Sequence, residues 1–506
     1  MITAFFGKIY TSFSPVRSVE SVIVIGDSVV YAGRSDAAEK LCKSLPCDEV
    51  DISKGVGMPG FIDSHMHLSG LALQEHELDL RGVRSIRELR QRLSEFIAAR
   101  PDSSSIIGRG WDEGLFEERR PPTRLDIDDI TGTRPTLLIR VCGHVGLLNT
   151  SAMRLLGVGP GQPNVDVKDG EPSGLVREEL VLKALRELEP PHDIYMSYIR
   201  DTVKSLLRQG ITTIGFMNTP MKLLPSLLSE GLSGSLKIRL RLYLDLEGLS
   251  WLEQVADVVQ HGIGNQWVKV NGVKVFADGS LGARTAFLSA PYNDDADNYG
   301  QALLAEPELR DIIERASRLS LQTAVHAIGD AAVDLVLRAS SGLREHVRIE
   351  HASLVRDDQL PSLRGYRVSV QPMFVVDDAP WIASRIGKER LCMAYRFRSL
   401  LSAGAIVGLS TDSPVEPTDP WLTVSAAVNG ASADGVPYGE RLTVSEALHL
   451  YTRGSADVLR DPLIGSLEPG SLGDLIVASR DPLEVDPSEL RSISTVGTYV
   501  GGVKVA

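Results

Sequence analysis

The chain of 506 residues contains only four cysteines, Cys42, Cys47, Cys142 and Cys392. They fall in no metal-binding or redox spacing, and so few in so long a chain exclude a disulfide framework. No run approaches the roughly 18 consecutive apolar residues that a membrane span requires. The N-terminus, MITAFFGKIYTSFSPVRSVE, lacks a basic region followed by a long apolar stretch, so no secretory signal is expected and the cytoplasm is the expected compartment. Positive charge is in deficit, 53 Lys and Arg against 66 Asp and Glu, a formal net charge of −13. That balance argues against a surface built for nucleic-acid phosphates. The acidic excess is not gathered in a tail, so it reads as solubility. No G-x-G-x-x-G follows a strand, which removes the simplest dinucleotide-binding reading. Internal repeats and low-complexity tracts are also missing.

What is present is an ordinary globular balance: 43% hydrophobic and 24% charged residues, with 46 Gly and 27 Pro. Disorder and collagen-like structure are thereby excluded. The length exceeds what one core usually serves, so one large domain with satellites is expected. Residues 1–56 and 462–506 both read as short strands and turns, as in SVIVIGDSVVYAGR and GSLEPGSLGDLIVASRDP. Neither end can bury a sheet alone. They are expected to pack together as a small β-sandwich made from both termini.

Residues 57–461 alternate β-rich runs with helical patterns. Eight candidate strands stand out: 58–67, 210–216, 237–246, 267–277, 321–329, 346–352, 366–372 and 405–413. Most are rich in Val, Ile and Leu without alternation, as buried parallel strands are. Eight such units predict an α/β fold, a TIM (β/α)8 barrel, with a doubly wound open sheet as the main alternative. Residues 70–205 are too long for one connection and carry helices and a strand of their own. They predict an inserted α+β subdomain after barrel strand 1, expected over the active-site face.

Polar residues at the ends of these apolar strands carry the chemistry. The first strand ends Asp63-Ser64-His65-Met66-His67, and strand alternation points His65 and His67 to one side. Two imidazoles so placed make half a metal site. His326 ends the fifth strand, His351 the sixth and Asp412 the eighth, and Lys274 interrupts the fourth. A lone buried histidine is more often a satisfied core residue, and a lone strand-end aspartate a helix cap. Six such residues at the C-terminal ends of one barrel's strands converge instead on its mouth, where barrel catalysis sits. Lys274 needs its own argument, because an unpaired ammonium is costly to bury. Burial and nearby positive charge depress a lysine's pKa and leave a neutral amine. That amine can take up carbon dioxide as a carbamate, an anionic ligand able to bridge two metals. The plain alternative pairs Lys274 with Asp278 or another carboxylate, and Lys269 is the rival position on this strand.

PGFIDSHMHL, GVKVFADGSLGARTA, VHAIGD, RIEHA, QPMF, GLSTDSPV and GSLEPGSLGDLIV together resemble the amidohydrolase superfamily. More narrowly they resemble amidohydrolase family 3, the branch of the N-substituted formamide deformylases. The resemblance spans nearly the whole chain, GWDE, GHVGLLNT and YRFRSLL included. It implies a TIM barrel with one or two metal ions, usually Zn²⁺. It further implies His65 and His67 as first-strand ligands and Lys274 as a carboxylated bridging ligand formed with carbon dioxide. His326 and His351 would hold the second metal, and Asp412 would touch the metal and shuttle the proton of the attacking water. The implied activity is hydrolysis of a non-peptide C–N bond of an amide, N-substituted formamides among the candidates.

Two other functions fit the same residues: hydrolysis of an ester, lactone or cyclic amide, and a scaffold that kept the fold and lost the site. The scaffold predicts missing ligands, and none is missing. Trp111, Asp112 and His144 in the insertion are candidates to line the pocket, and Arg284 and Arg396 to bind an anionic group of the substrate. Each has a structural alternative, as core or as a salt bridge. Asp63 is a candidate to orient an imidazole. A small-molecule substrate is expected, with neither nucleic acid nor membrane as partner and a homodimer as the candidate assembly.

Overall fold

The structure, a computed structural model, describes residues 1–101, 103–259 and 262–506. The chain divides into two compact units, one formed by Met1–Leu71 with Ile199–Ala506 and the other by Ala72–Tyr198.

The larger unit holds the barrel. Its strands are β1 (Phe61–Met66), β2 (Ile211–Thr219), β3 (Arg239–Leu244), β4 (Val268–Phe276), β5 (Gln322–Ala327), β6 (Val347–His351), β7 (Arg367–Val370) and β8 (Ile406–Leu409). Neighbours pair in chain order and all pairs are parallel. These are the eight expected strands, seven of them trimmed at both ends, whereas β2 runs on past the expected residue 216 to Thr219. All six residues of β1 and all six of β3 are buried, which is why their sequences do not alternate. The seam between β1 and β8 is joined by His67 N–H donating to Ser413 O and Asp412 N–H donating to His65 O. The Ser64 hydroxyl donates to Leu409 O across the same seam.

Helices cover the outside of the strands. The helix Glu306–Arg318 shows why such segments are helical: Leu309, Ile312, Ile313 and Ala316 are its buried residues, spaced to form one stripe. Glu306 and Glu308 lie in its first turn and Arg315 and Arg318 in its last, which suits the helix dipole.

The two termini build one eight-stranded sheet. Val503–Lys504, Thr495–Val500, Leu475–Ala478, Val56–Pro59, Ile2–Phe13, Val16–Ile25 and Ser28–Gly33 follow in order, and Asp48–Asp51 pairs with Ile2–Phe13. Its core includes Phe5, Ile9, Val22, Val24, Leu475, Val477 and Tyr499 from both ends of the chain. Val56–Pro59 belongs to this sheet, so the N-terminal contribution runs slightly beyond residue 56.

The smaller unit is an α+β subdomain. Its six-stranded sheet runs Val165–Lys168, Glu171–Arg177, Val145–Leu148, Thr136–Arg140, Ile106–Trp111, Leu78–Asp79. The helix Ile86–Ala99 is started by Ser85, whose side chain accepts from Glu88 N–H. Its Ile86, Leu89 and Leu93 join Trp111, Phe116 and Leu138 in one core. Among the described residues no helix is long and apolar enough to cross a membrane.

Candidate metal centre

Pairing register brings the site residues to one rim. Phe276 pairs with His326, His326 with Glu350, and Ala327 with His351, so the ends of β4, β5 and β6 lie level. On β1, His65 Nε2 lies 3.1 Å from Asp412 Oδ1, and His67 Nε2 lies 3.2 Å from the same oxygen. Lys274 Nζ is 3.5 Å from His65 Nε2. The ring of His351 is 5.1 Å from that of His65 and 4.5 Å from that of His326. Ligand atoms of His65, His351 and Asp412 lie within 4.8 Å of one another, and all three residues are buried. The structure thus brings all six expected residues together.

Backbone conformation explains how two of them reach in. Both His351 (φ 75°) and Asp412 (φ 57°) occupy the left-handed region, which non-glycine residues rarely adopt. At His351 this breaks strand alternation, so Glu350 and His351, adjacent in sequence, can both meet the site. Strain of this kind concentrates at functional positions.

The outer nitrogens of three histidines are held by specific partners. His65 Nδ1 lies 2.5 Å from Glu350 Oε2, and Glu350 is paired to Arg348 Nε, also at 2.5 Å. Arg348 also donates to Ser64 O. His351 Nδ1–H donates to Gln371 Oε1 at 2.8 Å, and His326 Nε2–H to Gly279 O at 3.1 Å. Gln371 is itself fixed by donating to the Ser410 hydroxyl, part of a chain through Ser369 to Ser64. Each imidazole therefore turns its other nitrogen, carrying a lone pair, toward the centre.

Burial depresses the histidines: His326 falls to about 3, with Lys274 adding to the effect, and His351 falls well below its usual range. His67 is lowered by burial too. Burial opposes ionisation of Asp412, but the neighbouring His65 and His67 outweigh it and hold the carboxyl well below the usual range. Lys274, 2% exposed, is lowered by burial to about 8.

These residues fit a divalent metal. Asp412 Oδ1 is buried without a hydrogen bond, although two imidazole nitrogens lie near it. Imidazoles and a carboxylate whose ligand atoms lie this close together offer the lone pairs that a divalent metal ion takes.

Several expectations are corrected. Asp278 does not pair with Lys274: its carboxylate accepts from the N–H groups of Phe287, Ile328 and Gly329. Lys269 is exposed, so it is no rival to Lys274. Asp63 orients no imidazole. It accepts from Thr411 and Tyr451 and from the His65 backbone, tying β1 to the segment after β8. Glu350 takes that role for His65. Trp111 is 0% exposed in the subdomain core, its indole donating to Leu138 O, so no surface remains for a substrate. Asp112 caps the short helix Glu113–Leu115 and pairs with Arg140. His144 is exposed and meets Glu178. Arg284 pairs with Asp294 at 2.9 Å, and Arg396 with the exposed Asp357 at 2.6 Å.

Glu350, Arg348 and Gln371 escape a reading centred on histidines. The criterion that singles out Lys274, a charge interrupting an apolar strand, also picks Arg348 and Glu350 in VRIEH.

A parallel barrel with buried imidazoles and a carboxylate at its C-terminal rim defines the class of metal-centred barrel proteins. A model of the amidohydrolase family matches residues 48–506, and the chain belongs to that family. It is 30% identical to the amidohydrolase-family protein YtcJ of Bacillus subtilis, with 98% of this chain and 97% of that one covered. It is 24% identical to the N-substituted formamide deformylase of Arthrobacter pascens, over 96% of this chain and 94% of that one. Among solved structures, an uncharacterized metal-dependent hydrolase from Pyrococcus furiosus shares 40% identity. It superposes with a TM-score of 0.87, covering 96% of this chain and 100% of that one.

Proposed function

We propose that this protein is a metal-dependent hydrolase of a non-peptide C–N bond in an amide, with N-substituted formamides as the leading substrate class. The observation that carries the reading is the unbonded Asp412 Oδ1 facing the inner nitrogens of His65 and His67. The activity named for the Arthrobacter pascens relative supports the formamides. His65, His67, His326, His351, Lys274 and Asp412 would hold one or two ions, with zinc the natural choice for this donor set. When bound, such an ion polarises a carbonyl and brings the pKa of water down from about 15.7 to about 7.

The protein's own groups do the rest. Asp412, held ionised, accepts the proton of the attacking water. It then returns that proton to the leaving nitrogen, which otherwise departs as an unfavourable anion. Glu350 and Gln371 lock the imidazoles of His65 and His351, so the ligands need no rearrangement. Lys274 Nζ, with its affinity for a proton reduced, forms a carbamate with carbon dioxide, releasing one proton and gaining a bidentate anion.

Asp412→Asn tests the reading, with metal content and turnover measured together. Turnover is expected to fall by about 10²–10⁴-fold, the usual reach of a positioned acid–base group. Wild-type turnover in a fully metal-loaded variant removes the shuttle. A protein that takes up no divalent metal removes the whole reading in favour of a scaffold. A panel of formamides, other amides, esters and lactones ranks the bond cleaved.

A further inference from the structure

A barrel interior is ordinarily filled by branched apolar side chains. Between its N-terminal floor and the metal centre this one carries Tyr243, Gln322, Arg348 and Glu350, each 0 or 1% exposed. Register stacks them in order. Tyr243 pairs with Gly272 and Gly272 with Gln322, so the tyrosine and the glutamine share one level. Gly272 leaves room for both, since a Cβ there would come within 2.1 Å of Gln322 O and 3.0 Å of Tyr243 Cδ1. Ala324 pairs with Arg348 and His326 with Glu350, which sets the arginine and then the glutamate progressively closer to the rim.

The hydrogen bonds among these residues run in one direction. Gln322 Nε2 donates to Val458 O at 3.2 Å, and the Tyr243 hydroxyl donates to Gln322 Oε1 at 2.7 Å. That commits the only hydroxyl proton, so the tyrosine oxygen faces Arg348 as an acceptor and takes Nη1–H at 3.2 Å. The Arg348 guanidinium also lies over the Tyr243 ring, 5.0 Å from its centroid. Arg348 Nη2 donates to Glu350 Oε2 and to Ser64 O, both at 2.9 Å, and Nε lies 2.5 Å from Glu350 Oε1. Glu350 Oε2 in turn meets His65 Nδ1 at 2.5 Å. A pair that served only the fold would close on itself. This one passes its carboxylate on to a histidine of the metal centre.

We propose that Tyr243 and Arg348 are positioning residues for the metal centre. They hold Glu350 in the orientation that keeps His65 Nε2 aimed at the ion, and Gln322 sets the Tyr243 hydroxyl. The inference rests on the metal site of the hydrolase reading and extends it from the rim into the barrel interior. A buried polar network acts as a unit, so a change at the hydroxyl is felt at His65 through Arg348 and Glu350.

The test is Tyr243→Phe in the full chain, which removes the hydroxyl and keeps the ring. Zinc affinity, measured by competition with a chelator, is expected to weaken about fivefold, the scale of one neutral hydrogen bond. Gln322→Met strips the hydroxyl of its acceptor; it is expected to weaken zinc in the same way and carries the test if the tyrosine variant does not fold. Tyr366→Phe is the control, because its hydroxyl bonds the buried Ser340 and belongs to no chain leading to His65. It is expected to lower the thermal midpoint and leave zinc affinity at the wild-type level. A second readout needs no metal. In the apo-protein the proton shared by His65 Nδ1 and Glu350 is expected as a downfield resonance, identified by its loss in His65→Asn and shifted in Tyr243→Phe. Either an unchanged zinc affinity or an unshifted resonance in Tyr243→Phe overturns the proposal. So does an equal loss of affinity in Tyr366→Phe, which marks a general effect of stability. A wild-type chain that binds zinc but cleaves neither amide nor ester removes the hydrolase reading and leaves the positioning role standing. Unchanged zinc affinity in Tyr243→Phe beside full turnover does the reverse.

Discussion

At the start of β3, Arg239 and Arg241 lie fully buried with their charge closed. Arg239 makes two hydrogen bonds to Asp474, at 2.6 and 2.8 Å, and Arg241 is held by Asp461 at 2.6 Å. Asp474 also accepts from Gly501 N–H. At the opposite ends of the strands, Lys274 has no such partner and Asp412 Oδ1 has no hydrogen bond at all. The same barrel therefore buries charge in two ways. At its floor Arg239 and Arg241 are each answered by a multiply bonded carboxylate, which is the form a structural pair takes. At its rim acceptors outnumber donors, which is the form a cation site takes. Burial by itself does not separate structure from function; the accounting of partners does.

That contrast can be broken at several points. Arg239→Ala has the largest expected effect, about 3–5 kcal/mol of lost stability in urea unfolding, because it leaves Asp474 buried and unpaired. Turnover per folded molecule is expected to stay at the wild-type level, and a fall in it at full stability would blur the division between floor and rim. At the rim, Gln371→Met removes the acceptor that fixes His351 while keeping its volume. It is expected to weaken metal affinity by about 10–100-fold, read by competition with a chelator. Retained affinity would make Gln371 simple packing. Arg284→Ala marks the lower bound. Its partner Asp294 is surface-accessible and also held by Arg385, so the change is expected to leave the thermal unfolding midpoint close to that of the wild type.

The barrel strands are legible in the sequence because parallel strands buried on both faces leave long runs of Val, Ile and Leu, and a histidine or lysine at the end of such a run is conspicuous. His65, His67, Lys274, His326, His351 and Asp412 are found that way. Glu350 is harder to see because it precedes His351 directly. Alternation assigns neighbours to opposite faces, and only the left-handed backbone at His351 overrides it. Gln371 looks like an ordinary strand-end amide until its partner is known. Trp111 shows the reverse difficulty: an aromatic beside an aspartate in an insertion suggests a pocket wall, whereas its bond to Leu138 O identifies a core residue. Arg284 and Arg396 carry the right charge for an anion, but the aspartates that occupy them lie elsewhere in the chain and leave no local signature.

The seam between the first and last barrel strands has a consequence for synthesis. Asp412 N–H reaches back to His65 O across almost 350 residues, and His67 N–H to Ser413 O. The centre is thus assembled from one segment made early on the ribosome and another made near the end. A nascent chain halted between residues 352 and 411 carries every histidine of the set yet cannot place the carboxylate among them. Completion of the centre therefore waits for the last barrel strand to be made.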